Sequence, residues 1–143
     1  MPVDTLEFVQ LEQKLRRTKI SSTDFLAPEL GKAYVIAICR EGCPNCEDQK
    51  PKLDKLAAEM TQKHKNMVVF RRIHVKYAQD SKEESSRAKD VFHHYFYPTN
   101  LILIRSRDRG GFELYRNAGP EMIELEKNIE SAIETAALLA KEE

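Results

Sequence analysis

The feature that most constrains the fold is a pair of cysteines placed where an apolar run changes into a helical pattern. Residues 33–39 are apolar and rich in β-branched side chains, which predicts a strand buried on both faces of a sheet. The segment Cys-Pro-Asn-Cys follows at residues 43–46. Cys43 is therefore expected at the N-terminus of a helix, where free N–H groups and the helix dipole favour a thiolate. Because the thiolate is the reactive form, Cys43 is predicted to be a nucleophile, and Cys46 to receive the bond that Cys43 first makes.

The rest of the chain alternates between helical and strand patterns. Helices are expected at about residues 5–17 with Asp4 as N-cap, 25–30, 46–63, for about ten residues after a capping box at Ser81 and Glu84, and after Gly119-Pro120. Strands are expected at about residues 33–39, 67–75, 100–105 and 112–117, with a hairpin turn at 106–111. Strands joined by a helix should be parallel and the hairpin antiparallel, so the sheet is predicted to be mixed, with helices on both faces.

Composition and charge narrow the class of protein. The 143 residues suffice for one domain with a sizeable core. Lys plus Arg equals Asp plus Glu at 23 each, so the balance favours neither a nucleic acid nor a membrane surface as partner. The N-terminus lacks the pattern of a signal peptide, and no apolar run is long enough to span a membrane. Three cysteines are too few for a disulfide framework, so a cytoplasmic location is expected, where a CxxC motif indicates redox or metal chemistry.

The chain resembles the thioredoxin superfamily over about residues 32–140. The resemblance is carried by four features in the right order: the CxxC at Cys43-Pro44-Asn45-Cys46, Pro51, the Tyr97-Pro98-Thr99 step into a strand, and Gly119 after the hairpin. It implies an α/β fold, a thioredoxin-like three-layer α/β/α sandwich with a central mixed sheet. Residues 32–143 would form this domain, and residues 1–31 an additional N-terminal helical extension packed on the core.

The resemblance also implies a function and a site. Cys43 would attack substrate disulfides, and Cys46 would resolve the mixed disulfide. Pro98 would be a cis-proline packed against the Cys43–Cys46 disulfide, with the Tyr97 backbone pairing to an extended substrate segment. The residues expected to bind substrate are Pro44, Asn45, Tyr97, Pro98, Thr99 and Gly119. No cofactor is expected beyond the redox-active disulfide. The expected partners are protein disulfides and an external reductant or reductase.

Several positions depart from the family pattern. Gly42 stands where thioredoxins have an aromatic residue, and Arg72 where relatives often have a lysine. The buried carboxylate beneath the resolving cysteine is replaced by Ala37, so its role in proton removal falls to water or to a surface group such as Glu47. Gly110-Gly111 lies too early to be the glutathione-binding glycine pair of glutaredoxins. These departures leave the subfamily open.

Two other functions remain open at this point. The first is a thioredoxin-like interaction or redox-sensing module with little turnover. The second is a zinc-binding domain, in which Cys39 and the pair His93-His94 would complete the ligand set, although adjacent histidines on a helix point about 100° apart. Cys39 itself is expected in the core, because it lies within the buried strand. A direct disulfide between Cys39 and Cys43 would need a rearrangement, because four residues of strand span about 13 Å.

Overall fold

Residues 2–78, 80–119 and 121–141 are described by a computed structural model. Its elements in chain order are β1 (Val3–Glu7), α1 (Phe8–Thr18), α2 (Ser22–Leu26), β2 (Ala33–Arg40), α3 (Pro44–His64), β3 (Val68–Val75), α4 (Glu83–Phe92), β4 (Thr99–Ser106), β5 (Gly110–Ala118) and α5 (Met122–Lys141). Among the described residues, no helix is long and apolar enough to cross a membrane.

The five strands form one mixed sheet in the order β1-β3-β2-β4-β5. β3 pairs in parallel with β1 and β2, whereas β4 runs antiparallel to both β2 and β5. Side chains of α3 and α5 pack on one face of the sheet, and those of α1, α2 and α4 pack on the other. β2 lies at the centre and is buried on both faces, which explains its apolar run without alternation. The predicted three-layer α/β/α architecture is confirmed.

The predicted start of the first helix, at about residue 5, is wrong. Residues 3–7 form β1, and the helix begins only at Phe8, so Asp4 is not its N-cap. Val3 pairs with Phe70 and Leu6 with Ile73, because the open edge of β3 offers backbone partners that local periodicity cannot reveal. The N-terminal segment thus contributes a strand as well as helices. Elements on both sides of the boundary predicted between residues 31 and 32 belong to the same sheet.

Two helix boundaries also differ from the prediction. α2 begins at Ser22, where the Ser21 hydroxyl accepts a hydrogen bond from the backbone N–H of Asp24 at 3.1 Å, and it ends at Leu26 rather than residue 30. The predicted capping box before α4 does not form, because the Ser81 hydroxyl donates to Glu83 and the N-cap is Lys82. The predicted start of the last helix at Pro120 lies outside the described residues.

α3 carries the cysteine pair and continues through Pro51, as the periodicity predicts. A proline inside a helix removes one backbone hydrogen bond. In α3, the burial of side chains before and after Pro51 compensates for this loss. The buried face of α3 consists of Cys46, Gln49, Leu53, Leu56, Ala57 and Met60. Through this face, the first turns of α3 contact the last residue of β2, Arg40, and the beginning of β4 at Asn100. These contacts fix the position of the cysteines.

Candidate functional site

Cys43 is the N-cap residue of α3, directly after the turn that leaves β2. Gly42 has φ of +72°, a conformation that favours glycine at this turn. The Cys43 Sγ accepts a hydrogen bond from the backbone N–H of Cys46 at 3.2 Å, and Pro44 occupies the first turn of the helix. Both cysteines are free thiols and buried. The first turn of α3 therefore directs a free backbone donor at the Cys43 sulfur.

The segment before β4 lies against the cysteine pair. The Tyr97–Pro98 peptide bond is cis. The Cys43 thiol donates to the carbonyl oxygen of Tyr97 across a distance of 3.5 Å. The backbone N–H of Gly119 donates to the Pro98 carbonyl at 2.8 Å, and the Thr99 hydroxyl donates to the Phe96 carbonyl at 2.6 Å. The fold thus brings Cys43, Cys46 and residues 97–99 together, with Gly119 held behind Pro98.

A groove of about 410 Å³ opens beside Cys43. It is lined by Arg40, Cys43, Pro44, Asn45, Lys89, Tyr95, Phe96 and Tyr97. Tyr95 and Phe96 are 84% and 66% exposed, which is unusual for aromatic side chains without a partner. Of the residues predicted to bind substrate, Pro44, Asn45 and Tyr97 line this groove, whereas Thr99 is buried. The sequence did not assign four further lining residues to the site, namely Arg40, Lys89, Tyr95 and Phe96.

Arg40 is the main cation near Cys43. Its guanidinium lies 4.0 Å from the centroid of the Tyr77 ring and 5.7 Å from that of Tyr97. Its backbone N–H donates to the Cys46 Sγ at 3.5 Å. The positive charge of Arg40 lowers the pKa of Cys43, but this effect is smaller than that of burial.

A second cavity, of about 170 Å³, lies on another side of the cysteine pair. Cys39, Cys46, Arg72 and His74 line it, together with Arg40, Glu41, Gly42, Glu47 and Lys50. Cys39 is 7% exposed, as expected for a core residue, but its thiol interacts with that of Cys46. The strand pattern could have revealed this contact, because Cys39 lies on the same face of β2 as Ala37 and Val35, the face that α3 covers.

The three thiols differ in their acidity. A hydrogen bond with Cys46, followed by the charge of Arg72, lowers the pKa of Cys39. The same hydrogen bond, together with burial, raises the pKa of Cys46. Burial, and then the interaction with the Cys46 thiol, raises the pKa of Cys43, whereas the hydrogen bond from the Cys46 backbone N–H lowers it. The expectation that the helix N-terminus favours a Cys43 thiolate is therefore corrected. In the dithiol state, desolvation raises the pKa of Cys43 by more than the backbone N–H of Cys46 lowers it.

The position beneath Cys46 contains no acid, since Ala37 is fully buried. Arg72, which lies nearby and is 8% exposed, pairs instead with Asp54 at 3.3 Å. The pair His93-His94 does not approach these groups: His93 is exposed, and His94 is buried on the opposite face of the sheet against Phe92 and Tyr97. Across the described ranges, no three His, Cys, Asp or Glu side chains form a group that could hold a metal ion.

One buried polar pair was missed by sequence analysis. The side-chain amides of Gln49 and Asn100 exchange two hydrogen bonds, of 3.0 and 2.9 Å. The Asn100 amide also donates to the Gly119 carbonyl at 3.4 Å. Gln49 lies one helical turn after Cys46, and Asn100 lies two residues after Pro98. The pair therefore joins the helix that carries the cysteines to the strand that follows Pro98.

Comparison with solved structures identifies the fold. A thioredoxin from Nicotiana alata has 23% sequence identity and a TM-score of 0.60, and the match covers 92% of both chains. The short form of thioredoxin F from spinach chloroplast has 18% identity and a TM-score of 0.59 over 92% of this chain and 93% of that one. Fasciola hepatica thioredoxin has 18% identity and a TM-score of 0.57 over 90% and 98%. Neither a protein-family profile nor a curated protein sequence matches the chain. The chain has the thioredoxin fold, which confirms the predicted resemblance.

Proposed function

We propose that the protein is a thiol–disulfide oxidoreductase that reduces protein disulfides through Cys43 and Cys46. The observation that carries the proposal is the setting of Cys43: its Sγ accepts the Cys46 N–H, faces the Tyr97 carbonyl and opens onto a groove. A bound substrate sulfur in that groove would meet Cys43 first. Cys46, which lies one turn further along α3, would then attack the Cys43 sulfur of the mixed disulfide.

The reaction consists of two exchanges. The Cys43 thiolate attacks one sulfur of the substrate disulfide, and the other sulfur leaves as a thiolate. The Cys46 thiolate then attacks the Cys43 sulfur, which releases the second substrate sulfur and forms the Cys43–Cys46 disulfide. Glu47 and Cys39 line the same cavity as Cys46 and are the acceptors for its proton, because residue 37 is an alanine. An external reductant returns the disulfide to the dithiol.

The groove supports an extended protein segment as substrate. The carbonyl of Tyr97 and the adjacent cis bond present backbone groups beside Cys43, and Pro44 and Asn45 line the same groove. Tyr95 and Phe96 provide exposed aromatic contacts, and Arg40 and Lys89 provide positive charge. Apolar or acidic residues next to the substrate cysteine would fit these walls. In the reducing cytoplasm, the location we propose, the net direction would be reduction.

A trapping experiment tests the proposed roles. The Cys46→Ser variant is expected to accumulate a mixed disulfide between Cys43 and a disulfide-containing protein, because the resolving thiol is missing. A variant that also carries Cys43→Ser should accumulate none. A Cys46→Ser protein that is folded by circular dichroism but forms no mixed disulfide through Cys43 would contradict the proposal.

The raised pKa of Cys43 favours one second candidate, an interaction or redox-sensing module with little turnover. Burial and the interaction with the Cys46 thiol both favour the thiol form of Cys43, and a thiol attacks disulfides slowly. Turnover measurements separate the two candidates. A module would bind partners in both redox states without reducing their disulfides, whereas an oxidoreductase would catalyse their reduction many times per molecule.

A further inference from the structure

Cys46 lies between two other sulfurs. On one side its backbone N–H donates to the Cys43 Sγ at 3.2 Å, and on another its Sγ accepts the backbone N–H of Arg40, the residue bonded to Cys39, at 3.5 Å. The thiols of Cys39 and Cys46 are close enough for each to shift the pKa of the other. The linings of the two cavities separate the three cysteines in the same way. Cys43 lines the 410 Å³ groove without Cys39 or Cys46, whereas Cys39 and Cys46 line the 170 Å³ cavity without Cys43. Cys46 thus lies against Cys43, which lines one opening, and shares the lining of the other opening with Cys39.

The surroundings of Cys39 suit a nucleophile better than a core side chain. The interaction with Cys46, and then the charge of Arg72, lowers the pKa of the Cys39 thiol, and all three residues line the same cavity. His74 is the direct neighbour of Cys39 on β3, and both residues line the same cavity as Lys50. A cation beside a cysteine stabilises the thiolate and so increases its reactivity.

We propose that Cys39 is a third redox thiol, which competes with Cys43 for the sulfur of Cys46. The step rests on the Cys43–Cys46 disulfide of the proposed function. The Cys39 thiolate attacks the Cys46 sulfur; a Cys39–Cys46 bond forms, the Cys43–Cys46 bond breaks, and Cys43 leaves with the electron pair as a thiolate. No oxidant or reductant is consumed, because one disulfide replaces another.

The exchange gives the oxidised protein two forms. In one, the disulfide lies beside the groove and Cys39 is free. In the other, the disulfide lies at the second cavity, and Cys43 is again a nucleophile beside the groove. The distance argument that excludes a direct Cys39–Cys43 bond does not apply, because Cys46 is the partner of both.

The experiment uses the full-length Cys43→Ser variant, in which Cys39 and Cys46 are the only cysteines. It is incubated at low concentration with oxidised glutathione, quenched in acid, treated with N-ethylmaleimide and measured by intact mass. We expect the monomer to lose two hydrogen atoms and to bind no maleimide. Trypsin should then yield residues 33–40 joined to residues 41–52 by a disulfide, since cleavage after Arg40 separates Cys39 from Cys46. The matched control, Cys39→Ser with Cys43→Ser, cannot form this link.

The wild type gives an independent reading that does not depend on a variant. After oxidation it should contain both the Cys43–Cys46 disulfide within residues 41–52 and a fraction of the joined peptides with Cys43 alkylated. Folded Cys43→Ser or Cys43→Ala protein that keeps both cysteines alkylatable, or that carries only glutathione adducts, would overturn the proposal. If such protein is accompanied by a wild type that reduces protein disulfides, only this inference fails. If the Cys39–Cys46 disulfide forms and the wild type is inactive, only the proposed function fails.

Discussion

Gln49 and Asn100 hold the two halves of the site together through a pair of reciprocal amide hydrogen bonds in the core. Gln49 is 1% exposed and Asn100 is fully buried, so water cannot replace either partner. The pair sets the distance between the first turns of α3 and the start of β4. It therefore influences how the cysteine pair faces Pro98, although neither side chain lines the groove.

The first prediction concerns this pair. Replacing Asn100 by Leu leaves the Gln49 amide buried without its partner, which should lower the free energy of unfolding by about 1–3 kcal/mol. Gln49→Leu should cost a similar amount. The double variant should cost less than the sum of the two single variants, because no buried amide is left unpaired. Urea unfolding followed by circular dichroism measures all three values. Strict additivity would mean that the two amides do not depend on each other.

The second prediction concerns the acidity of Cys43. Because burial raises its pKa, its rate of alkylation by iodoacetamide should increase throughout the neutral and mildly alkaline range and level off above the ordinary cysteine range. Arg40→Gln should move the midpoint to still higher pH, since the positive charge of Arg40 stabilises the thiolate.

Fragmentation of the tryptic peptide of residues 41–52 by tandem mass spectrometry assigns that rate to Cys43 rather than to Cys46, and Cys39 lies in a separate peptide. Arg17→Gln serves as the control, because it removes the same charge from α1, outside both cavities. A Cys43 that is fully reactive already at neutral pH would contradict the account of burial.

The third prediction concerns His94 and acid stability. His94 is 2% exposed, and neither ring nitrogen has a hydrogen-bond partner among the described residues. Burial, followed by the charges of Lys89 and Arg116, lowers the pKa of His94 from 6.5 to about 4. The unfolded chain therefore binds a proton more readily than the folded one. The stability that this histidine contributes is complete above pH 6.5 and is lost as the pH falls toward 4, by up to about 3 kcal/mol.

Urea unfolding at several pH values tests this sign. His94→Phe should flatten the pH dependence in this window, because the ring that titrates is removed. His93→Asn is the matched control: His93 is exposed and has φ of +57°, a conformation that Asn tolerates. An unchanged slope in His94→Phe would show that other groups cause the acid sensitivity.

The fourth prediction concerns the exposed aromatic wall of the groove. Replacing both Tyr95 and Phe96 by Ala should reduce kcat/KM for a protein disulfide by about tenfold, since contacts of roughly 1 kcal/mol or more would be lost. The rate with a small disulfide such as oxidised glutathione should change less, because it has no neighbouring protein side chains to pack on the two aromatic rings. Leu138→Ala removes a similarly exposed apolar side chain from α5 and should leave both rates unchanged. An equal loss of rate with both substrates would indicate that the substitutions impair the reactivity of Cys43 rather than the binding of a protein substrate.

The sequence is informative where a local pattern coincides with a tertiary one. β2 and α3 were predicted because an apolar run and a helical period each continue for their full length. β1 was missed because an edge strand of five residues has too few buried positions to show its period, and its partner β3 is distant in the sequence. Long-range pairing overrides a weak local preference in such a segment.

The same distinction applies to the site. The positions of Cys43, Cys46 and Pro98 follow from local spacing and from the resemblance to a family. The Cys39–Cys46 contact and the Gln49–Asn100 pair depend on how α3 lies across the ends of β2 and β4. The burial of His94 was also not predicted from the sequence, because a histidine that follows a helix is normally exposed. Desolvation, the cause of the raised pKa of Cys43, depends on the whole fold and not on the helix N-terminus alone.

The most direct test of the proposed oxidoreductase is the reduction of insulin by dithiothreitol, followed as turbidity, in the presence of the wild type or Cys43→Ser. The account predicts catalytic acceleration by the wild type, with many turnovers per molecule and a rate that increases from neutral to mildly alkaline pH. The Cys43→Ser variant should leave the rate at the level of dithiothreitol alone. Equal rates with the wild type and with Cys43→Ser, both folded by circular dichroism, would contradict the central claim.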